Sequence, residues 1–207
     1  MNLNEHNAVI YIVDDEEAVR DSLSALIESL GWQVKDFASA HSFLDGFDHQ
    51  QLACLILDVR MPNMDGLELQ EELVKRNISI PIIFISGNAE LHDSSKAFRA
   101  GAVDFLEKPF DNETLIERII EAIRKEIKSR SRQEEMRKMH ECLESLTARE
   151  KEVLRLIISS YTNKEIAKLL NISYRTVDAH RSSLMKKMDA HNTATLVANV
   201  VNYELLD

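Results

Sequence analysis

The stretch LACLILDVRMPNMDGLEL, residues 52–69, places a carboxylate at the end of a wholly apolar run. Residues 52–57 have the length and branched aliphatic content of a strand buried on both faces, so Asp58 emerges where that strand ends. The pattern recurs along the first half of the chain. Residues 9–13 form a similar run that ends at Asp14 and Asp15, residues 80–85 form another that ends at Ser86, and Lys108 with Pro109 completes the series. In a parallel α/β sheet such ends share one edge, the edge at which these folds bind ligands. Three carboxylates, a hydroxyl and an ammonium then meet in one cleft.

That set of groups suits a phosphoryl-accepting aspartate beside a magnesium site. Clustered carboxylates repel and raise one another's pKa unless a cation neutralises them. Magnesium prefers oxygen ligands and binds one or two carboxylates together with a phosphate. Asp58 is the expected nucleophile, forming an acyl phosphate. Asp15, and Asp14 partly through water, are the expected metal ligands with the backbone carbonyl of Arg60. Lys108 is expected to pair with the phosphoryl oxygens and Ser86 to donate a hydroxyl to another.

Residues 7–127 resemble the receiver domain of two-component response regulators. The stretches that carry the resemblance are IVDDEEAVR at 12–20, LDVRMPNMDGLEL at 57–69, PIIFISGNA at 81–89 and AGAVDFLEKPF at 100–110. The resemblance implies a flavodoxin-like, doubly wound (βα)5 parallel sheet. It also implies phosphorylation of Asp58 by a sensor histidine kinase, a switch pair of Ser86 and Phe105, and a cis peptide before Pro109. Cys54 lies in the apolar run before Asp58 and is expected to pack in the core.

The 207 residues allow two domains. No apolar run approaches the roughly 18 residues of a membrane span. The N-terminal MNLNEHN carries neither a basic nor an apolar leader region. Cys54 and Cys142 fall in different halves and suggest no disulfide framework, so a cytoplasmic protein is expected. Residues 1–128 hold 12 Lys+Arg against 24 Asp+Glu, and residues 129–207 hold 13 against 11. A surface for nucleic acid must therefore be local and must lie in the second half.

Residues 121–146, EAIRKEIKSRSRQEEMRKMHECLESL, contain no Pro or Gly. Apolar residues at helical spacing (Ile116, Ile119, Ile120, Ile123, Ile127) give way to alternating charge after Lys128. The expected organisation is a domain at 1–127, a linker at 128–142 and a domain at 143–207. The linker reads as a continuation of the preceding helix, with a flexible tether as the other reading.

Beyond Leu146 the punctuation is helical. Thr147 and Glu150 form a capping box, with Val153, Leu154, Ile157 and Ile158 following at helical spacing. Thr162 or Asn163 caps a second helix whose inner face is read as Ile166, Ala167, Leu169 and Leu170. Ser173 caps a third with Val177, Leu184, Met185 and Met188 inward, and Thr193 opens a fourth. Four short helices with a tight turn between the second and third form a helix-turn-helix unit. The third presents Arg175, Thr176, Asp178, Ala179, Ser182, Ser183, Lys186 and Lys187 outward.

LTAREKEVLRLI, TNKEIAKLLNIS and RTVDAHRSSLMKKMDA resemble the LuxR-type DNA-binding domain, and with the receiver the whole chain resembles the FixJ type of regulator. The resemblance implies that the third helix enters the major groove of double-stranded DNA. Asp178, Ala179 and Ser182 are then expected near bases with Thr176 beside them, and Lys164, Arg175, Lys186 and Lys187 on phosphates. His180 is expected to pack inward. Asp178 stands where many relatives have lysine, and Ser160 where glycine is usual, so the turn there is expected either to be slightly strained in the left-handed region or to be simply different.

The function implied is a phosphorylation-gated transcription factor, not an enzyme. Phosphorylation is expected to draw Ser86 inward, let Phe105 rotate, and rearrange the face at 90–105 on which the class forms homodimers; RNA polymerase is a candidate further partner. The receiver could also mask the third helix, with dimerisation as the larger effect. An orphan regulator that needs no phosphorylation and an aspartyl-phosphate phosphatase are the competing classes.

Overall fold

The computed structural model describes residues 7–87 and 104–202. The chain divides into two compact units, Met1–Ser129 and Arg130–Asp207.

The first unit holds the strands β1 (Val9–Val13), β2 (Gln33–Phe37), β3 (Ala53–Asp58), β4 (Ile82–Ser86) and β5 (Asp104–Glu107). They form one sheet in the order β2-β1-β3-β4-β5, with every described pairing parallel. That is the doubly wound order whose switch point lies between β1 and β3. β1, β3 and β4 are buried along their whole length, as their unbroken apolar runs require.

Pleating divides these strands between two cores. Tyr11, Val13, Leu55 and Leu57 pack with Phe43 of α2 (Ala40–Gly46) and with Leu69 and Leu73 of α3 (Gly66–Lys75). Ile10, Ile12, Ile56 and Ile85 pack with Ile27 of α1 (Glu17–Ser29) and with Leu115, Ile119 and Ile123 of α4 (Asn112–Glu144). Each such side chain contributes about 1.5–3 kcal/mol when fully buried. Cys54 belongs to the second core, and burial, reinforced by the charge of Glu126, pushes its thiol pKa well up. It is packing, not a redox group.

α4 is one continuous α-helix that runs through the stretch read as a linker. The second unit continues with α5 (Ala148–Ile158), α6 (Asn163–Leu169), α7 (Tyr174–Lys187) and α8 (Thr193–Asn202) around a core of Val153, Leu154, Ile166, Val177, Leu184, Met188 and Leu196. Thr147 and Thr162 make full capping boxes with Glu150 and Glu165, and Ser173 accepts from the Thr176 amide. At α8 it is Asn192 that accepts from the Thr195 amide, so Thr193 is the first helical residue.

The inner face of α6 differs from its sequence reading at one position, since Leu169 is 57% exposed. Ile166, Ala167 and Leu170 lie within one arc of about 100° at 3.6 residues per turn, and Leu169 falls outside it. The turn at Ser160 is left-handed, with φ 64, which decides between the two readings of that position. The Ser160 amide bonds to the Ile157 carbonyl and the Tyr161 amide to the Leu156 carbonyl, a Schellman ending. Asn77, Asn171 and Asp189 end their helices in the same way, and these residue types tolerate positive φ better than serine.

Candidate functional site

Strand register assembles the first cluster. Val13 pairs with Leu57, Asp58 with Ile85, and Ser86 with Glu107. Asp14, Asp58, Ser86 and Lys108 therefore leave the sheet together at its C-terminal edge, beside the switch point. Asp14 is fully buried, Asp58 is 6% exposed and Ser86 1%.

Lys108 Nζ donates to Asp14 Oδ2 and to Asp58 Oδ1, each at 2.8 Å. The remaining carboxylate oxygens are also engaged. Asp58 Oδ2 accepts the Arg60 amide at 2.7 Å, and Asp14 Oδ1 accepts the Glu16 amide at 2.9 Å. Burial raises the pKa of Asp58, Asp14 adds to that, and Lys108 and the Arg60 amide pull the other way. For Lys108, burial works against the ammonium, but its hydrogen bonds to Asp14 and Asp58 outweigh burial and raise the pKa. Two carboxylates share one ammonium, so the pocket holds surplus negative charge.

A hard dication fits that surplus and the all-oxygen donor set. Among the described residues, no group of three or more acidic, His or Cys side chains is gathered closely enough to hold a metal, and Asp15 is exposed at the rim. The structure thus brings Asp14, Asp58 and Lys108 into direct contact, with Asp15, the residue that follows Asp14, exposed. Phe105 is half-buried, its ring 6.2 Å from that of Phe84 between centroids. The Lys108–Pro109 peptide is cis. Of the face at 90–105, residues 90–103 lie outside the described residues.

Two residues in this site carried no role in the sequence reading. A Cβ on Gly66 would stand 2.3 Å from the Asp58 carbonyl oxygen, so only glycine lets α3 start this close to the end of β3. The signal was the Gly in NMDG, whose constraint here is space and not an unusual φ. The other is Arg20, which donates from Nη1 to the carbonyl oxygens of Asp14 (2.9 Å) and Asp15 (3.2 Å) and from Nε to Asp36 at 3.0 Å.

The second cluster lies on α7. Arg175, Asp178, Ala179, Ser182 and Lys186 are exposed on one stripe, and Lys164 is exposed on α6. Other polar residues of α7 are engaged within the unit. Arg181 bonds Asn163 and Thr193, the first residues of α6 and α8. Ser183 and Lys187 both bond the buried carboxylate of Glu150, and Lys187 also bonds the Ser145 carbonyl. Thr176 is half-buried with its hydroxyl against Ser173, and His180 is half-buried. Lys187, read as a phosphate contact, is thus committed to an internal ion pair, because the i+4 step from Ser183 puts it on the face turned to α5.

The sheet order and the helix-turn-helix, carried on one chain, define a class: DNA-binding response regulators. Residues 10–120 match the response regulator receiver domain model, and residues 144–200 match that of bacterial regulatory proteins of the luxR family. The chain is 41% identical to the response regulator protein TmoT of Ectopseudomonas mendocina, over 95% of this chain and 89% of that protein. It is 36% identical to the transcriptional regulatory protein FixJ of Bradyrhizobium diazoefficiens, over 91% and 92%. A solved structure of the response regulator StyR superposes with a TM-score of 0.88 at 37% identity, covering 95% of this chain and all of that one. The chain belongs to the response regulator receiver family, with a LuxR-type DNA-binding domain and FixJ among its homologues. Family members are transcriptional regulators, receiver domains of the family bind Mg2+ at the phosphorylation site, and the two domains imply a histidine kinase phosphodonor and DNA binding. No helix among the described residues is long and apolar enough to cross a membrane.

Proposed function

We propose that Asp58 is the phosphoacceptor of a two-component pathway and that its phosphorylation by a sensor histidine kinase controls DNA binding by the second half of the chain, in the cytoplasm. The observation that carries this is the Lys108 ammonium, held 2.8 Å from both Asp14 and Asp58 where the strands end. In the proposed step an Asp58 carboxylate oxygen forms a bond to the phosphorus of a phosphohistidine, the P–N bond breaks, and the imidazole leaves with the electron pair. Lys108 exchanges a carboxylate partner for a phosphoryl oxygen, and Ser86, next in register to Ile85, donates its hydroxyl to another. Asp15, Asp58, the Arg60 carbonyl and Asp14, partly through water, would hold Mg2+, which would supply positive charge to offset the phosphoryl oxygens.

The new charge favours a state in which Ser86 moves inward and Phe105 leaves its place beside Phe84. Dimerisation through the segment at 90–105 then brings two copies of α7 to one operator. Arg175, Lys186 and Lys164 serve phosphates, and Asp178, Ala179 and Ser182, with Thr176 beside them, serve bases. RNA polymerase is the partner through which a bound dimer would act on transcription. Full-length protein given a small acyl phosphate and Mg2+ should gain one phosphoryl group, dimerise and shift a cognate operator. Asp58→Asn labelled at the wild-type rate sinks the assignment, and an identical operator affinity without phosphoryl donor removes the gating.

A further inference from the structure

We propose that Arg20 is a positioning residue for the phosphoacceptor site: it holds the loop after β1 from which Asp14 reaches the Asp58 pocket and from which the Asp15 side chain starts. This rests on the reading of Asp58 as the acceptor.

Asp14 is constrained at every polar atom. Its amide donates to the Phe37 carbonyl, its Oδ1 accepts from the Glu16 amide and its Oδ2 from Lys108. Its carbonyl oxygen is the remaining atom, and Arg20 Nη1 is what it accepts from. The same nitrogen reaches the next carbonyl, that of Asp15. Two consecutive carbonyl oxygens pulled to one side turn the peptide between them, and that peptide sets where the Asp15 side chain starts. Asp15 is exposed, so its carboxylate is placed chiefly by the backbone it starts from.

The guanidinium is itself fixed. Its Nε pairs with Asp36 on β2, one residue before the Phe37 whose carbonyl holds Asp14, and its side chain is 12% exposed. One arginine thus ties the ends of two adjacent strands to the loop between strand and helix. Only a planar fork of several donors can do this; a lysine ammonium at the same place reaches one partner at a time with less directional control. The Asp36 pair alone is half in solvent and contributes little. The carbonyl bonds are the functional part.

Charge and position predict opposite signs, which makes the role testable. Arg20→Ala removes a cation near the cluster, so on charge alone Mg2+ binds more tightly. Loss of positioning weakens binding, by about 10- to 100-fold for a residue that orients metal ligands from outside. The experiment titrates Mg2+ into unphosphorylated full-length wild type, Arg20→Ala, Arg20→Lys and Asp36→Asn by calorimetry, and then follows phosphoryl uptake from acetyl phosphate at saturating Mg2+. The expected order of Mg2+ affinity is wild type close to Asp36→Asn, then Arg20→Lys, then Arg20→Ala, with uptake in the same order. Arg20→Ala that binds Mg2+ as tightly as wild type, or more tightly, overturns the proposal. If Arg20→Ala does not fold, Arg20→Lys decides, and equality with wild type in both measurements overturns it. A wild type that neither binds Mg2+ nor takes up phosphate overturns the reading of Asp58, and the role of Arg20 with it.

Discussion

Lys187 and Glu150 form an ion pair at 2.8 Å between the end of α7 and the start of α5, with the Glu150 side chain only 5% exposed. The same carboxylate accepts the Thr147 amide at 2.7 Å and the Ser183 hydroxyl at 2.7 Å. It caps one helix and fastens another. The last turn of α7 is set by this contact.

Neighbouring lysines should therefore behave differently. Lys187→Ala leaves a buried carboxylate short of its main partner and should destabilise the second unit by about 1–3 kcal/mol, with little change in the salt slope of DNA binding. Lys186→Ala removes an exposed cation and should leave stability nearly unchanged, while lowering the salt slope by about one unit on operator and random DNA alike. Chemical denaturation and affinity measured across a salt series separate the two. A salt slope that falls for Lys187→Ala but not for Lys186→Ala reverses the assignment.

The same contact sets an acid dependence. Hydrogen bonds from Lys187 and then Ser183 hold the Glu150 carboxyl down at about 2, from an ordinary 4.5. A carboxyl depressed by folding contributes stability that is fully present above its unfolded pKa and is lost as pH falls towards the folded one. The stability difference between wild type and Glu150→Gln should be constant above about pH 5 and shrink steadily towards pH 2. Calorimetric melting of both proteins across that range tests it. A difference that stays flat to pH 2 means the Lys187 pair does not hold the carboxyl down.

Gly66→Ala tests how closely α3 supports the acceptor. The added methyl would overlap the Asp58 carbonyl oxygen at 2.3 Å, so the strand end or the helix start must shift. The expected result is a loss of about 1–3 kcal/mol in the first unit. Phosphoryl uptake should slow as well, because the Asp58 carboxylate moves with its backbone. Wild-type stability together with wild-type uptake would show that the contact relaxes without cost.

The parts of this molecule legible from the residues are the ones written locally. Apolar runs at 9–13, 52–57 and 80–85 specify strands buried on both faces, because runs of five or six residues rich in branched aliphatics are too short for a buried helix. Asp14, Asp58, Ser86 and Lys108 were legible because each follows a strand end. Thr147, Thr162 and Ser173 announced their helices, since a cap acts on amides two or three residues away. At Ser160 the sequence marked the helix ending but left its geometry open between a strained left-handed turn and a different one; the structure shows the left-handed form.

Tertiary structure decided what depends on partners distant in sequence. Lys187 was read as an outward phosphate contact of α7, but Glu150 claims it from 37 residues away, and Asn163 and Thr193 take Arg181 of the same helix from 18 and 12 residues away. Leu169 was read inward on spacing that a helix of 7 residues is too short to resolve, and it is exposed. Arg20 sat unremarked inside a quoted motif, because its role appears only when the β1 loop and Asp36 on β2 meet its guanidinium. Sequence by itself determined which groups stand at the sheet edge and which helix faces outward, through spacing and caps. Which of those charges stay exposed and which are consumed in holding the fold was decided by packing, since a buried carboxylate takes the cation that reaches it whatever face the helical period assigned.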